Sequence, residues 1–216
     1  MTIHRTDIAD LRKEYTKSTL NPEDLPDDPM WAFNNWFEFA VHEQVHEPNA
    51  MVLSTVFDGR PSSRVVLLKG INANGFVFYT NYLSKKGQDL QSNPFACLNF
   101  HWWQQERQVR IEGKVVKVSR EESEAYFSSR PRLSQAGAIV SNQSERIDSR
   151  EPLDRMMEEL MLKHPERPLE RPEHWGGYLL QPDYLEFWQG RPGRVHDRIV
   201  FRIMEDGSWD KYRVCP

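Results

Sequence analysis

The sequence predicts an α+β protein that is mainly antiparallel β, with a barrel flanked by helices. A series of extended segments is joined by short links, and several links carry turn pairs such as Asp58-Gly59, Asn74-Gly75 and Asp206-Gly207. Short links imply that the joined strands pair antiparallel. Helical segments lie between them without the regular alternation of strand and helix that a doubly wound nucleotide-binding sheet requires.

Local signals place the helices. Asp28 is suited to cap a first helix that opens at Pro29. Ser84 is placed to cap a short helix, and the capping box Ser119-Arg-Glu-Glu122 opens another helix that stops before Pro131. The strongest helical period is a Met-rich stripe, which indicates a core or dimer contact rather than a cofactor site. Its members are Leu153, Met156, Met157, Leu160 and Met161.

Extended segments bounded by turn residues indicate the strands. The predicted strands are 50–57, 62–71, 76–80, 95–102, 108–118, 177–181, 184–189, 194–203 and 209–214. Residues 1–28 are expected to form an N-terminal arm, with a short amphipathic turn at Ile8, Leu11 and Tyr15. Residues 29–216 are expected to form a single domain.

The composition indicates a folded chain outside the membrane. Of 216 residues, 38% are hydrophobic and 12% aromatic, which disfavours disorder. No apolar run approaches the roughly 20 residues that cross a bilayer, and the charged start lacks the apolar stretch of a secretion signal. A net charge of −4 disfavours nucleic acid and membrane surfaces as partners. Two distant cysteines predict no disulfide framework, which favours the cytoplasm.

Several signatures of common enzymes are missing from the sequence. It has no Gly-x-Gly-x-x-Gly, P-loop, Gly-x-Ser-x-Gly, His-Glu-x-x-His or Cys-x-x-Cys motif. These absences disfavour a nucleotide hydrolase, an esterase of the common type and a zinc site. No metal ligands are predicted.

Cations at the ends of apolar segments predict anion sites instead. Arg64 and Lys69 lie five positions apart, so a regular strand would direct them to opposite faces, where they could serve two different anions. The alternative is that both side chains simply reach water at the strand ends. Lys85 and Lys86, beside a predicted helix start, could hold another phosphate, although a solvated pair is the default interpretation.

Two further groups of residues strengthen this prediction. Arg194, His196 and Arg198 would share one face of a strand, where they repel one another unless an anion lies between them, although Asp197 and Glu205 could partly balance the charge. A helix that ends at Pro131 would let three polar side chains converge as a phosphate clamp, although the tyrosine could equally belong to the core. These side chains are Tyr126, Arg130 and Ser134. Two anion sites suit the phosphate of a flat aromatic cofactor and the phosphate of a small substrate.

Several short motifs in fixed order resemble those of the pyridoxamine 5′-phosphate oxidase family, over nearly the whole chain. They are Arg64-Val-Val-Leu-Leu-Lys69, Phe78-Tyr-Thr-Asn81, Glu106-Arg-Gln-Val109, Tyr126-Phe-x-Ser-Arg-Pro131, Ser134-Gln-x-Gly-Ala138, Asn142-Gln-Ser144, Glu186-Phe-Trp-Gln-Gly190 and Arg194-Val-His-Asp-Arg198. The resemblance implies an FMN-binding split barrel, built as a homodimer with FMN at the subunit interface. It also implies a C-terminal dimerisation region at about 173–216.

The resemblance also implies the site residues. Those implied for FMN are Arg64, Val65, Val66, Leu67, Lys69, Tyr79, Thr80, Lys85, Lys86, Gln108, Gln143, Ser144, Trp188 and Arg198. Those implied for the substrate are Arg12, Tyr15, Lys69, Tyr126, Arg130, Ser134, Arg194 and His196. Arg194 and His196 would also be the catalytic residues, lying over the pyridine ring.

The implied reaction is the oxidation of pyridoxamine 5′-phosphate or pyridoxine 5′-phosphate to pyridoxal 5′-phosphate, with molecular oxygen reduced to hydrogen peroxide. A hydride would pass from C4′ of the substrate to N5 of FMN. The alternatives are a split-barrel flavin reductase, which would lack the clamp of Tyr126, Arg130 and Ser134, and a non-catalytic binder of FMN or pyridoxal phosphate. An oligonucleotide-binding barrel is disfavoured by the net charge.

Overall fold

The computed structural model describes residue 8, residues 11–164 and residues 168–216. These residues form five α-helices, nine strands and three short 3-10 helices. Five pairs of neighbouring strands are antiparallel, which confirms the predicted α+β class. No described helix is both long enough and apolar enough to cross a membrane.

The bounds of the elements are as follows. The helices are α1 (Pro29–His42), α2 (Lys85–Ser92), α3 (Arg120–Ser129), α4 (Arg132–Val140) and α5 (Glu151–Lys163). The strands are β1 (Ala50–Phe57), β2 (Arg60–Leu67), β3 (Gly70–Asn72), β4 (Gly75–Asn81), β5 (Phe95–Trp102), β6 (Arg107–Lys117), β7 (Trp175–Gln189), β8 (Asp197–Ile203) and β9 (Trp209–Arg213). The strand order is β2-β1-β5-β6-β7-β4-β3, with β8 paired to β7 and β9 to β8.

The chain separates into two compact units. The first comprises residues 1–48, 99–111 and 184–216, and the second comprises residues 49–98 and 112–183. The division into an arm (1–28) and a single domain (29–216) stays a prediction. The predicted turn at Ile8, Leu11 and Tyr15 lies partly outside the described residues.

The first unit is organised around helix α1. Asp28 caps this helix as predicted, because its carboxylate accepts hydrogen bonds from the amides of Met30 (2.7 Å) and Trp31 (3.2 Å). The buried face carries Phe33, whose ring lies 5.0 Å from that of Phe100, and Trp36, whose ring meets Phe187 edge-on at 5.1 Å. Such aromatic pairs add to the free energy gained from burial alone.

The core of the second unit joins the helices to the start of β7. Phe127, Ala136, Leu169 and Trp175 form a buried cluster, against which Met157, Leu160 and Met161 of α5 pack. The Met-rich stripe therefore packs partly on this core, whereas Met156 is 47% exposed. Helix α2 packs closely on the backbone of Tyr82 at Gly87, where a Cβ atom would lie only 2.0 Å from the carbonyl oxygen. This glycine thus permits the position of Lys85 and Lys86.

Four predicted strands differ from the observed ones. Strand 62–71 is broken, since β2 ends at Leu67 and β3 begins at Gly70. Segments 177–181 and 184–189 form one strand, β7. Strand 194–203 begins only at Asp197, because residues 192–194 form a 3-10 turn in which Gly193 and Arg194 have φ of 65° and 61°.

Helix α4 is absent from the sequence prediction. Pro131 ends α3 as expected, but it also serves as the N-cap position of a second helix that follows at once. The fixed φ of proline suits the residues that open a helix as well as those that follow one. The same residue therefore separates two helices that meet at a corner.

Candidate active site

A cleft of about 810 Å³ lies in the second unit. Five of the described residues that line it are cations and none is acidic: Arg64, Lys69, Lys85, Lys86 and Arg130. The other predicted site residues along it are Val65, Val66, Leu67, Tyr79, Thr80, Tyr126, Ser134, Gln143 and Ser144. This size and charge suit a phosphorylated small molecule.

Arg64 and Lys69 line this one cleft, so the expectation that they serve separate faces of a strand is wrong. The argument assumed that alternation continues through both positions. Strand β2 ends at Leu67, however, and Lys69 lies beyond it. Its backbone amide instead bonds to the carbonyl of Val77 on β4 at 2.8 Å.

A buried carboxylate organises the cationic end of the cleft. Asp89 of α2 is 2% exposed and accepts hydrogen bonds from Thr55 (2.7 Å) and from Lys85 Nζ (3.0 Å). Arg64 donates to Thr55 at 2.7 Å, and its Nη2 lies 3.7 Å from Asp89. Burial raises the pKa of Asp89, but the hydrogen bonds from Thr55 and Lys85 outweigh it, so that the pKa is lowered overall. The carboxylate therefore stays ionised between two cations.

Lys86 is the most buried cation of this end, with 8% of the residue exposed. Its Nζ donates to Gln143 Oε1 at 2.8 Å, to Thr80 at 3.1 Å and to Ser84 at 3.2 Å. Burial and the charge of Arg64 lower the pKa of Lys86 to about 8. An anion bound here would stabilise the charged form of Lys86, which burial and Arg64 disfavour.

Stacked aromatic rings form another part of the cleft. Tyr79 and Tyr126 stack with ring centroids 3.8 Å apart, and Trp175 lies nearly parallel to Tyr126 at 6.2 Å. Burial, together with the charge of Glu122, raises the pKa of Tyr79 to about 12, so the phenol keeps its proton. The guanidinium of Arg130 lies over the face of Trp175, with Cζ 4.5 Å from the ring centroid. The predicted convergence of Tyr126, Arg130 and Ser134 is thus present around the corner at Pro131.

The first unit contains a second group of predicted residues. Tyr15, Trp188 and His196 form an aromatic cluster with ring centroids 4.6–5.7 Å apart. A pocket of about 220 Å³ in the same unit is lined by Arg12, Lys13, Glu14, Tyr15, Arg191, Gly193 and Arg194. The N-terminal arm therefore brings Arg12 and Tyr15 to the segment that holds Arg194.

The predicted strand face of Arg194, His196 and Arg198 is wrong, because only Arg198 lies on a strand. Arg198 forms a two-pronged ion pair with Glu186 (2.8 and 2.9 Å) and donates to the carbonyl of Cys215 at 2.8 Å. His196 Nδ1 accepts a hydrogen bond from the amide of Arg191 at 3.1 Å. Gln108 lies on β6, half-buried.

Comparison with known proteins shows the family to which the chain belongs. Residues 37–163 match the family model described as pyridoxamine 5′-phosphate oxidase. The chain belongs to this family. Residues 175–216 match the model of the pyridoxine 5′-phosphate oxidase C-terminal dimerisation region.

Curated relatives in the pyridoxamine 5′-phosphate oxidase family match almost end to end. The pyridoxine/pyridoxamine 5′-phosphate oxidase of Cupriavidus necator is 53% identical over 212 residues, covering 98% of this chain and 100% of the relative. The enzyme of the same name from Leptospira interrogans is 51% identical over 210 residues, covering 97% and 98%.

Solved structures share the fold. PhzG from Burkholderia lata, in complex with tetrahydrophenazine-1-carboxylic acid, matches with a TM-score of 0.87 and 28% identity, covering 94% of this chain and 100% of that one. A pyridoxamine 5′-phosphate oxidase-related, FMN-binding protein from Nostoc punctiforme matches with a TM-score of 0.69 and 17% identity, covering 85% and 97%. The predicted split-barrel fold is thereby confirmed.

Sequence reasoning did not assign five residues that line the cleft, which are Asn81, Gly137, Ala138, Ser141 and Trp175. Three of them, Asn81, Gly137 and Ala138, lie within motifs already singled out, so proximity to those motifs was an available signal. Trp175 precedes the predicted strand 177–181 and carried no such signal. Its position depends on the pairing of β7 with β4, which places Trp175 opposite Asn81.

The side chain of Glu106 holds the N-terminal segment that carries Tyr15. It is 2% exposed, and its carboxylate accepts hydrogen bonds from the amides of Thr16 (2.8 Å) and Lys17 (3.0 Å). Gly190 leaves room for the arm, since a Cβ atom there would lie 2.7 Å from Tyr15 Cγ.

Glu106→Gln is expected to increase hydrogen exchange at the amides of Thr16 and Lys17 by about fivefold to tenfold. Hydrogen bonds to a charged acceptor contribute more than those to a neutral amide, and the buried NH₂ group would lack a partner. Hydrogen–deuterium exchange measures this directly, with the exposed Glu43→Gln as the control. Unchanged exchange in Glu106→Gln would show that other contacts hold the arm.

Proposed function

We propose that this protein oxidises pyridoxamine 5′-phosphate or pyridoxine 5′-phosphate to pyridoxal 5′-phosphate, with FMN as its cofactor and molecular oxygen as the final acceptor. The observation that carries the proposal is the cleft of the second unit, which combines five cations with stacked aromatic rings and has no acidic side chain among its described lining residues. The chain belongs to the pyridoxamine 5′-phosphate oxidase family, and a phosphorylated substrate and cofactor suit the positive charge of this cleft.

The residues of the cationic end fit the phosphate of FMN. Arg64, Lys85 and Lys86 would hold it, together with Gln143 and Ser144, whose side chains already bond to Lys86 Nζ (2.8 Å) and to the amide of Lys85 (3.2 Å). A fully ionised phosphate is stabilised by cations in a partly buried site. When bound, FMN would take up a hydride from C4′ of the substrate and pass the electrons to oxygen, which becomes hydrogen peroxide.

The substrate phosphate is assigned to Lys69, Tyr126, Arg130 and Ser134. Within the described part of the chain, the buried Nη1 of Arg130 has no hydrogen-bond partner. Burial lowers the pKa of Arg130, and the opposing interaction with Tyr126 offsets this only in part. A guanidinium with an unused donor is suited to receive an anion.

Arg194 and His196 are assigned to the pyridine ring of the substrate. Because Nδ1 of His196 accepts a hydrogen bond from Arg191, a neutral ring carries its proton on Nε2 and can donate it to an oxygen of the substrate. Burial and the charge of Arg194 lower the pKa of His196, which favours this neutral form at pH 7. Arg194 would orient the ring and shield C4′ from water.

The remaining proposals concern assembly and location. The match to a dimerisation region supports a homodimer, with FMN at the subunit interface as the family resemblance implies. We place the protein in the cytoplasm, in keeping with a sequence that holds only two cysteines, far apart in the chain.

The colour of the purified protein tests the proposed function. We expect a yellow protein that loses its flavin absorbance on anaerobic mixing with pyridoxamine 5′-phosphate, and that forms pyridoxal 5′-phosphate and hydrogen peroxide once oxygen is admitted. A flavin reductase would instead lose its colour with a reduced nicotinamide and not with the substrate. A binder without activity would stay yellow with both, and either result would refute the proposal.

A further inference from the structure

The guanidinium of Arg130 is supported by an aromatic face. Its Cζ lies 4.5 Å from the ring centroid of Trp175, which is 6% exposed. Among the described residues, no hydrogen-bond acceptor reaches the buried Nη1. The cation is therefore held in place while at least this donor stays unused.

Other arginines of the predicted sites are held differently. Arg198 directs Nε and Nη2 to the carboxylate of Glu186, and Arg64 donates to Thr55 beside Asp89. A carboxylate stabilises a guanidinium but occupies its donors and would compete with an incoming phosphate. An aromatic face attracts the cation through its π electrons and uses none of the N–H groups. The arrangement at Arg130 thus suits an arginine that must bind an anion.

Trp175 is itself fixed on several sides. Its ring stacks with Tyr79 at 5.6 Å and with Tyr126 at 6.2 Å, and it meets Phe127 edge-on at 5.4 Å. The backbone carbonyl of Trp175 accepts a hydrogen bond from Arg171, which is 9% exposed in its side chain. A ring held in this way offers a surface of fixed position for the guanidinium.

We infer that Trp175 is a positioning residue, which holds the guanidinium of Arg130 over its indole face with donors available to the substrate phosphate. This role rests on the proposed function, in which Arg130 binds that phosphate. Trp175 acts through Arg130, and its removal should weaken binding of the phosphate rather than slow the oxidation step.

The first test compares Trp175→Leu with Trp175→Phe in the FMN-loaded enzyme. For Trp175→Leu we expect KM for pyridoxine 5′-phosphate to rise about fivefold to thirtyfold, the range of a partly buried cation–π contact, with kcat changed less than about twofold. Trp175→Phe keeps an aromatic face and should lose less, about twofold to fivefold. The exposed Trp31→Leu, at 67% exposure, is the control.

A second measurement needs no turnover. The affinity of the holoenzyme for the product, pyridoxal 5′-phosphate, is measured from the change in its absorbance, and it should fall in Trp175→Leu by the same factor as KM rises. If Trp175→Leu does not fold, the affinity of Trp175→Phe for the product is compared with that of wild type. We expect it to be about twofold to fivefold weaker, and an unchanged affinity would contradict the inference.

A double-mutant cycle separates this role from a general structural one. In an Arg130→Ala background, replacing Trp175 by leucine or phenylalanine should change KM less than about twofold, because the contact partner is gone. An equal change in both backgrounds, or a loss of FMN affinity as large as the change in KM, would overturn the inference. A wild-type protein that does not oxidise the substrate would instead refute the proposed function.

Discussion

Arg194→Ala is expected to slow oxidation of pyridoxine 5′-phosphate by about a hundredfold while FMN stays bound. Arg194 lines a small pocket with Arg12 and Tyr15, and it adopts a left-handed backbone with φ of 61° directly after Gly193. This conformation is uncommon for residues other than glycine. It directs the side chain of Arg194 differently from the side chain of a residue in a strand. Misplacement of a substrate by about 1 Å can reduce a rate by this factor.

The rate at which flavin absorbance is lost in anaerobic stopped-flow measures this effect. Arg194→Lys keeps the charge but loses the planar group, so it should not restore the rate. His196→Asn should have a smaller effect, since it removes one hydrogen bond to the substrate ring. The exposed Arg202→Ala on β8 is the matched control. A wild-type rate in Arg194→Ala would show that Arg194 does not take part in the reaction.

The second large effect is expected at Lys86, whose pKa of about 8 makes FMN binding depend on pH. Below pH 8 the side chain is mainly cationic and attracts the phosphate, and above pH 8 it is increasingly neutral. The Kd for FMN should therefore rise about fivefold from pH 8 to pH 9. At pH 7, Lys86→Met should weaken FMN binding by about tenfold to a hundredfold, because the substitution removes the cation. It should also remove this pH dependence.

Folding stability should respond to pH in the opposite direction. The pKa of Lys86 is lowered from 10.5 to about 8 in the folded, FMN-free protein, so the unfolded chain binds more protons between these values. The contribution of Lys86 to the free energy of unfolding therefore rises with pH through this window, while FMN affinity falls.

Titration of FMN into the FMN-free protein, followed by flavin fluorescence, measures the Kd. The exposed Lys114→Met on β6 serves as the control, because it removes an equal charge outside the cleft. A Kd for wild type that is flat from pH 7 to pH 9.5 would contradict the role assigned to Lys86.

Signals within a few residues of one another were enough to predict much of the secondary structure. Strands β1 and β5 have the predicted bounds, and α1 starts after its predicted cap at Asp28. Ser84 and Ser119 cap α2 and α3, as their hydroxyl groups accept hydrogen bonds from backbone amides of the first turns. Caps and turn residues act through local hydrogen bonds and backbone geometry, which the sequence displays directly.

Strand β7 shows where local signals fail. Pro182-Asp183 separates two predicted strands, yet the chain stays extended from Trp175 to Gln189. Partners far away in the sequence decide this, because β4 pairs with the first half of β7 and β8 with the second half. At Gly113 of β6 a Cβ atom would lie 2.0 Å from the carbonyl oxygen of Gln181, so this glycine admits a close approach of the two backbones.

The sequence by itself determined the α+β class, the cation-rich composition of the site and, through ordered motifs, the family. Only the tertiary structure decided which cations share a cleft and what supports each of them. It placed Arg64 and Lys69 together, set Asp89 between Arg64 and Lys85, and laid Trp175 beneath Arg130. The pairs Arg64–Asp89 and Arg130–Trp175 join residues that are distant in the chain. The free energy of such contacts depends on distance, burial and charge in the folded state, which no local pattern records.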